Sequence, residues 1–297
     1  MAQIHSQGSS KSVSMSPSWN GRSARRIFSL VIIYALLIIF SIAFIFPFLW
    51  MLSTALKPNW QVSQWPVQWI PHPMLFSNFV HAFTVLPFGR WFVNTCIITG
   101  LTIVGTLLSC TVVAYGFARF RAPGRNVLFV VLLATMMLPS SVTIIPLFEW
   151  FRELHWINSF KPLIVPQFFG NAFFIFLLRQ FFMTIPVELE ESAKIDGLGT
   201  LGTLVRIILP LTIPALATVG VMQFNGTWND FFNPLIYLDD PNKYTLAIGL
   251  NFFKSEQNVQ WNYLMAASTV IMLPSLILFF FGQRFYVESI TLTGVKG

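Results

Sequence analysis

Charged side chains, histidine and cysteine are all scarce in this 297-residue sequence. Only 10% of the residues are charged and 55% are hydrophobic, whereas soluble domains carry about 25% charged residues. This scarcity excludes an ordinary soluble domain and predicts an integral membrane protein. The two cysteines, Cys96 and Cys110, match no metal-ligand spacing, so we interpret both as small buried hydrophobes.

Three further features are missing. The sequence contains no G-x-x-x-x-G-K-[ST] loop, so it offers no phosphate cradle of that kind. It shows no matched halves of the kind that secondary transporters with inverted repeats carry. A membrane enzyme would need a cluster of catalytic side chains near one membrane face, and the sequence offers none.

Six apolar segments are long enough to cross a bilayer, because a spanning helix needs about 20 residues. They are residues 27–56, 91–118, 126–148, 163–183, 211–238 and 263–282. Several contain proline, which is tolerated where neighbouring helices or water satisfy the freed backbone groups. The pattern predicts an all-α domain of six transmembrane helices over residues 27–283, lining a path. We expect residues 1–26 to be a disordered tail and residues 284–297 a second tail.

Basic residues are distributed unevenly between the predicted loops. With the N-terminus inside, the inner segments hold 12 basic and 5 acidic residues, and the outer segments hold 6 of each. The whole net charge of +7 therefore lies on one side, which is typical of the cytoplasmic face. We expect both termini in the cytoplasm. Because topology accounts for the basicity, no nucleic-acid partner is expected.

The longest cytoplasmic loop, residues 184–210, predicts a short helix of about three turns. Thr184 suits the N-cap and Pro186 the first turn. Glutamates crowd the early turns, where the helix macrodipole favours anions. Gly197 and Gly199 suit a left-handed end.

One face of this helix, formed by Leu189, Ser192 and Ala193, is small and mildly apolar. Helices that lie on a membrane carry Lys and Arg toward anionic lipid. This helix carries four acidic residues against Lys194 alone. We therefore interpret it as a docking site for another protein, with a membrane-surface helix as the alternative.

The same loop carries a known pattern. Residues 191–210 read Glu-Ser-Ala, three residues, Gly, nine residues, then Ile-Ile-Leu-Pro. This resembles the EAA motif of ATP-binding-cassette importer permeases, with Ser192 in place of the usual alanine. Residues 118–125 resemble the A-R-F-x-F-P-G-R turn of carbohydrate permeases. Four further segments also resemble the carbohydrate permeases: residues 137–139, 228–231, 243–246 and 294–297. Leu292 and Thr293 differ from the residues usual in that group. Together the matching segments resemble the smaller permease subunit of maltose-type oligosaccharide importers.

The resemblance implies a type I ABC importer permease fold in the bacterial inner membrane. It implies a chain with no catalytic residue, metal or cofactor of its own, which passes sugar inward by alternating access. Expected partners are a homologous second permease, two ATPase subunits that bind ATP and Mg²⁺, an extracytoplasmic sugar-binding protein and membrane lipid. The residues carried over as ATPase contacts are Glu190, Glu191, Ser192, Ala193, Asp196 and Gly197.

The resemblance also implies that an outer loop contacts the binding protein. The residues concerned are Asn251, Phe252, Phe253, Lys254, Ser255, Glu256 and Gln257. The alternative is an ordinary interfacial loop.

Polar residues in the fifth span form the candidate sugar path, because they are costly in a membrane unless they serve a path or a helix contact. They are Gln223, Asn225, Trp228, Asn229 and Asp230. Amides and carboxylates bond sugar hydroxyls, and an indole covers a pyranose face. Bonds to neighbouring helices are the alternative. Glycerol phosphate and uronate oligosaccharides remain as other cargoes, and a secondary transporter remains as a more distant reading.

Overall fold

The computed structural model describes residues 19–254 and 259–294, and within these ranges it contains α-helices but no β-strand. The α-helices are α1 (Trp19–Ala55), α2 (Asn59–Val62), α3 (Ser77–Thr84), α4 (Phe88–Arg119), α5 (Arg125–Thr135), α6 (Ser140–Glu153), α7 (Lys161–Ile164), α8 (Ala172–Thr184), α9 (Glu188–Ile195), α10 (Thr200–Thr203), α11 (Leu209–Leu211), α12 (Ile213–Trp228), α13 (Phe232–Tyr237), α14 (Leu246–Gly249) and α15 (Trp261–Gly294). Three 3₁₀ segments, Val165–Phe169, Pro241–Lys243 and Leu250–Phe253, and a π-helical segment, Leu204–Ile208, complete the helical structure.

Four helical stretches are long and apolar enough to cross a membrane by themselves. They are Arg26–Ala55, Phe88–Arg119, Lys161–Thr184 and Trp261–Gln283. Two bent pairs pass the same test together: Arg125–Thr135 with Ser140–Glu153, at 96°, and Thr200–Leu211 with Ile213–Trp228, at 79°. If each bent pair counts as one span, the described residues hold the six predicted spans.

The predicted third and fifth spans are therefore not single helices. Pro139 has no backbone N–H and takes an extended conformation immediately before α6, so the helical ladder stops there. The second bend falls at Thr212, and Pro214 lies in the first turn of α12. α12 ends at Trp228, so the segment that follows forms the separate helix α13 rather than the end of one long span.

The terminal helices are longer than predicted. α1 begins at Trp19, so residues 19–26 are helical rather than part of a disordered tail, and α15 continues to Gly294, past the predicted end at residue 282. Hydropathy marks only the length that suits the bilayer, whereas the hydrogen-bond ladder of a helix continues through polar residues. The predictions for residues 1–18 and 295–297 lie outside the described residues.

Contacts divide the chain into two units, residues 1–51 and residues 52–297. The described part of the first unit is most of α1, a strongly apolar helix. Its large side chains from Ile27 to Leu49 are exposed, including Phe28 and Phe44. A helix that is apolar on all sides suits contact with lipid.

The second unit, residues 52–297, is organised around α4. This helix contributes to all three buried apolar clusters. Trp91 packs with α12 and the 246–253 segment, Ile98 packs with α6 and α13, and Tyr115 packs with α8 and the 204–219 segment.

A stripe of small residues brings neighbouring segments close to α4. Thr95, Thr99, Thr102 and Thr106 are buried on the helix. A Cβ atom built on Gly105 would lie 2.6 Å from the ring of Phe168, in the 3₁₀ segment. Small residues at helix interfaces allow such close packing in membrane proteins.

Gly105→Ala should destabilise the fold, because the added methyl group would overlap the Phe168 ring. We expect a loss of about 1–3 kcal/mol, the usual cost of overpacking. Gly100→Ala is the matched control on the same helix, since a Cβ atom there meets nothing within 4 Å. Thermal unfolding of the two purified variants would compare them. Equal stability would contradict the close packing of α4 against Phe168.

Candidate functional sites

A cavity of about 370 Å³ lies among α4, α6, α12, α13 and the segment 161–171. Its volume is within the range of small-molecule sites, about 300–1,000 Å³. Apolar side chains form part of the wall. The polar side chains that line it are Thr95, Thr99, Gln167, Asn171, Gln223, Thr227, Asp230, Asn233, Tyr237 and Thr245.

The end of α12 supplies one wall of this cavity. Gln223, Thr227 and Asp230 are spaced i, i+4 and i+7, so they lie on one face. Gln223 Nε2 donates to Thr227 Oγ1 at 3.0 Å. The Asp230 carboxylate accepts from the backbone N–H of Asn233 at 3.2 Å and from its side-chain amide at 2.8 Å. These bonds fix the carboxylate just beyond the helix end.

The segment before α8 supplies the opposite wall. Gly170 has φ +91°, a conformation that favours glycine, and it separates the 3₁₀ segment from α8. Asn171 caps α8, because its Oδ1 accepts the N–H groups of Phe173 and Phe174 at 3.0 and 3.3 Å. Two amide side chains, Gln167 and Asn171, therefore line the cavity from fixed backbone positions.

Two buried hydroxyls in the cavity wall lack a hydrogen-bond partner among the described residues. They are Thr99 Oγ1 and Thr245 Oγ1, and both side chains are almost fully buried within the chain. A buried polar group without a partner costs about 1–3 kcal/mol. Because the chain's own atoms cover both oxygens, a ligand in the cavity reaches neither of them in this conformation.

The charge of the cavity is negative. Asp230 is the one carboxylate in its described lining, which contains no Lys, Arg or His. The wall combines amides, hydroxyls and a single carboxylate with apolar and aromatic surface. Such a set can donate and accept hydrogen bonds to an uncharged polar ligand.

Three predicted path residues do not line this cavity. Trp228 is buried, donates from Nε1 to the Ile271 carbonyl at 3.1 Å, and stacks on Phe224. Asn225 and Asn229 donate to carbonyl groups one turn back on α12, at 3.1 and 3.0 Å. The helical turn of about 100° per residue carries these three side chains away from the face of Gln223.

The prediction from sequence also missed part of the wall. Thr95 and Thr99 on α4, Thr227 on α12 and Tyr237 on α13 all line the cavity. The spacing of Thr227 between Gln223 and Asp230 was a usable signal. For the residues on α4 and α13 there was none, because only the packing of distant segments brings them together.

The helix of the 184–210 loop is shorter than predicted. α9 spans Glu188–Ile195, about two turns, and Val187 precedes it without a side-chain cap. Thr184 ends α8 instead, and its hydroxyl donates to the Phe181 carbonyl. Gly197 has φ +84° and ends the helix as expected, whereas Gly199 is extended and precedes α10.

The residues predicted to contact an ATPase divide between two sides of α9. Glu190 and Ala193, spaced i and i+3, face inward and are 5% and 2% exposed. Glu191, Ser192, Asp196 and Gly197 are exposed. Glu190 and Ala193 are therefore corrected to inward-facing positions, because packing against the chain's own core covers them.

A buried ion pair holds the inward side of α9. Arg119 Nε lies 2.5 Å from Glu190 Oε1. Tyr115 donates its hydroxyl to Glu190 Oε2 at 3.2 Å, and Arg119 Nη2 donates to the Ile185 carbonyl at 2.8 Å. Glu190 Oε2 and Arg119 Nη2 are thus hydrogen-bonded, whereas Arg119 Nε and Glu190 Oε1 form an ion pair without hydrogen-bond geometry.

The loop predicted to contact a binding protein is only partly described. Asn251, Phe252 and Lys254 are exposed, whereas Phe253 is buried and stacks on Phe88. Phe252 stacks on Trp91. Phe253 is corrected to a core residue, because its ring is covered by its neighbours. Ser255, Glu256 and Gln257 lie outside the described residues.

A polar network anchors the chain beside this loop. Asn94 on α4 donates to the carbonyl groups of Asn242 and Tyr244 at 2.9 and 3.0 Å. The backbone N–H of Asn242 bonds to Asp240, and mainly for this reason the pKa of that carboxyl lies below its usual value. Asn94 therefore fastens a loop rather than lining the cavity.

No group of three or more His, Cys, Asp or Glu side chains in the described ranges could hold a metal ion. Cys110 is buried and Cys96 is exposed, and the two are not joined.

The relatives found by comparison with known proteins include permease proteins of transport systems. A probable ABC transporter permease protein of Bacillus subtilis, YurM, is 35% identical, covering 85% of this chain and 84% of that protein. The arabinooligosaccharides transport system permease protein AraQ of the same organism is 33% identical, covering 85% and 90%. In the crystal structure of a bacterial ABC transporter that imports the acidic polysaccharide alginate, one chain has TM-score 0.79 and 26% identity, covering 89% of this chain and 98% of that chain.

The helices therefore form the six-span permease fold of ABC importers, and the predicted all-α membrane class is confirmed. Residues 110–291 match the family described as "Binding-protein-dependent transport system inner membrane component". The chain belongs to this family, and it is a multi-pass protein of the bacterial inner membrane.

Trp228→Ala should lower stability rather than act on a ligand, because the indole belongs to a core cluster. Loss of a buried tryptophan costs about 3–5 kcal/mol. Trp60→Ala, at an exposed indole, is the control and should change little. Thermal unfolding in detergent measures both variants. An unchanged midpoint for Trp228→Ala would return the indole to the candidate path.

Proposed function

We propose that this chain is a permease subunit of an ATP-driven importer that carries an uncharged oligosaccharide into the cytoplasm. The observation that carries the proposal is the cavity beside α4 and α12, with its amide and hydroxyl side chains. Sugar hydroxyls donate and accept hydrogen bonds, so they would satisfy both kinds of group.

The relatives support a carbohydrate cargo but differ in its charge. AraQ is named for arabinooligosaccharides, and the structurally similar transporter imports an acidic polysaccharide. The cavity of this chain favours the uncharged class, because its one carboxylate, Asp230, faces no cationic side chain in the described lining. A uronate carboxylate about 6 Å from Asp230 would be repelled by about 3 kcal/mol at an effective dielectric constant near 20.

The energy would come from partner subunits. We infer a homologous second permease, two ATPase subunits that hold ATP and Mg²⁺, and an extracytoplasmic binding protein that delivers the sugar. This chain would supply no catalytic group. The excess of basic residues on one side supports an orientation with both termini in the cytoplasm. Closure of the ATPase pair would move the docked helices and expose the cavity alternately to each side.

The exposed side of α9 is the proposed docking surface. Glu191, Ser192, Asp196 and Gly197 are exposed there, and the Ile195 side chain is 86% exposed. An apolar side chain beside acidic groups suits a protein surface better than anionic lipid. Helices that lie on a membrane surface use several basic residues, whereas α9 carries Lys194 alone.

One observation favours a second candidate function. Asp230 is a carboxylate in the cavity wall, and secondary transporters couple ions through such groups. Under that reading an ion gradient would drive uptake without an ATPase. Asp230 has no cationic partner in the described lining, and both an ATP-driven importer and a secondary transporter allow this. A measurement of the energy source therefore distinguishes the two functions.

Asp230→Asn tests the cargo class. Purified complex should bind a neutral oligosaccharide more tightly than its uronate counterpart, as measured by equilibrium titration without the binding protein. Removing the charge of Asp230 should narrow this preference at least about tenfold, in line with the repulsion above. Asp239→Asn is the control, since that exposed carboxylate lies outside the cavity lining. Tighter uronate binding by the unaltered complex, or an unchanged preference in Asp230→Asn, would contradict an uncharged cargo.

Glu191→Lys tests the docking surface. The reversed charge should abolish the stimulation of ATP hydrolysis by sugar-loaded binding protein in reconstituted vesicles, because the partner would meet the wrong charge. Thr200→Lys adds a positive charge at another exposed position in the same loop and should leave the stimulation largely intact. Undiminished stimulation in Glu191→Lys would rule out docking at this face.

A further inference from the structure

The buried side of α9 carries a feature that docking alone does not require. The Arg119 and Glu190 side chains are only 10% and 6% exposed, yet they form a charged pair. An apolar pair of similar volume would often hold two segments together equally well, because burying charge is costly. Here the hydrogen bonds from Tyr115 and to the Ile185 carbonyl add direction to the ion pair, which apolar contact would not supply.

The pair joins three segments at one point. Arg119 is the last residue of α4, where the macrodipole favours a cation. Its guanidinium meets Glu190 on α9 and the carbonyl of Ile185, in the turn that links α8 to α9. Tyr115, one turn earlier on α4, bonds the second oxygen of the same carboxylate. α9 is therefore fastened to α4 through both carboxylate oxygens and through its own connection to α8.

α4 connects this point with the cavity. It runs for 32 residues from Phe88 to Arg119 without an internal proline. Thr95, Ile98 and Thr99, toward its other end, line the cavity. Arg119 lies 24 residues after Thr95, a distance of about 36 Å along the helix at 1.5 Å per residue. An unbroken helix of this length carries a displacement of one end to the other.

We propose that Arg119, Glu190 and Tyr115 are positioning residues that make α9 and α4 move as one body, so that motion of the docked α9 moves the cavity wall. This inference rests on the proposed docking of an ATPase at α9. Glu190 would then act from the inner side of the helix, while the exposed residues on the other side meet the partner. A contact that only stabilised the fold would not change the coupling between ATP hydrolysis and sugar.

Glu190→Gln tests the proposal, because it removes the charge but keeps the volume and the acceptor for Tyr115. The measurement is the ratio of ATP hydrolysis with sugar-loaded binding protein to basal hydrolysis, per assembled complex in vesicles. We expect the ratio to fall at least about fivefold, the lower end of usual coupling factors. Tyr115→Phe, which leaves the ion pair in place, should lower it less and in the same direction.

Glu149→Gln is the matched control. Glu149 forms an ion pair with Arg152 of the same length, 2.5 Å, but both side chains are largely exposed on α6. Its loss should leave the ratio unchanged, because exposed pairs contribute little. If the unaltered complex shows no stimulation at all, the proposed function itself fails, whatever the variants do.

A normal ratio per assembled complex in Glu190→Gln would overturn the positioning role. If that variant also gave a smaller amount of assembled complex, the pair would be structural only. If the complex with Glu190→Gln does not assemble, the ratio is measured in Tyr115→Phe instead, because that variant deletes one hydroxyl and no charge. A normal ratio in that variant would then contradict the proposal.

Discussion

The described part of residues 52–297 depends on close packing against α4. Four threonines and Gly105 make the buried face of that helix small, so α12 and the 3₁₀ segment lie directly against it. The hydroxyls of Thr95 and Thr102 donate to carbonyl groups of α4 itself, at 2.8 and 2.9 Å. Polar side chains can therefore occupy a membrane helix without exposing unpaired groups to lipid. Larger side chains at these positions would separate the walls of the cavity.

The same helix relates the two candidate sites. Near its beginning it presents Thr95 and Thr99 to the cavity, and at its end it holds α9 through Arg119. Each bent span contributes one helix to the cavity wall, α6 from the first pair and α12 from the second. The bends lie next to prolines, Pro139 before α6 and Pro214 in the first turn of α12. One unbroken helix therefore connects the cavity wall with α9, and the proposed coupling depends on this arrangement.

Hydropathy and motif spacing were enough to predict the class, the apolar segments that form the four single spans and the two bent pairs, and the place of the short helix. They could not predict which side of α9 is buried. Glu190 and Glu191 are both glutamates, and the packing of α9 against the rest of the chain makes Glu190 inward and Glu191 outward. Trp228 was misassigned for the same reason: an indole near polar residues suits a sugar, but packing against Phe224 places it in the core. Thr99 and Thr245 carried no local signal, because their shared wall depends on distant contacts.

A measurement of the energy source of uptake distinguishes an ATP-driven permease from a secondary transporter. The chain would be reconstituted in vesicles with the proposed partner permease and ATPase subunits, with ATP inside and a labelled neutral oligosaccharide outside. We predict accumulation that requires both internal ATP and external binding protein, and that persists when ion gradients are collapsed. Accumulation driven by an ion gradient without ATP would contradict this prediction and would favour a secondary transporter with Asp230 as its coupling carboxylate.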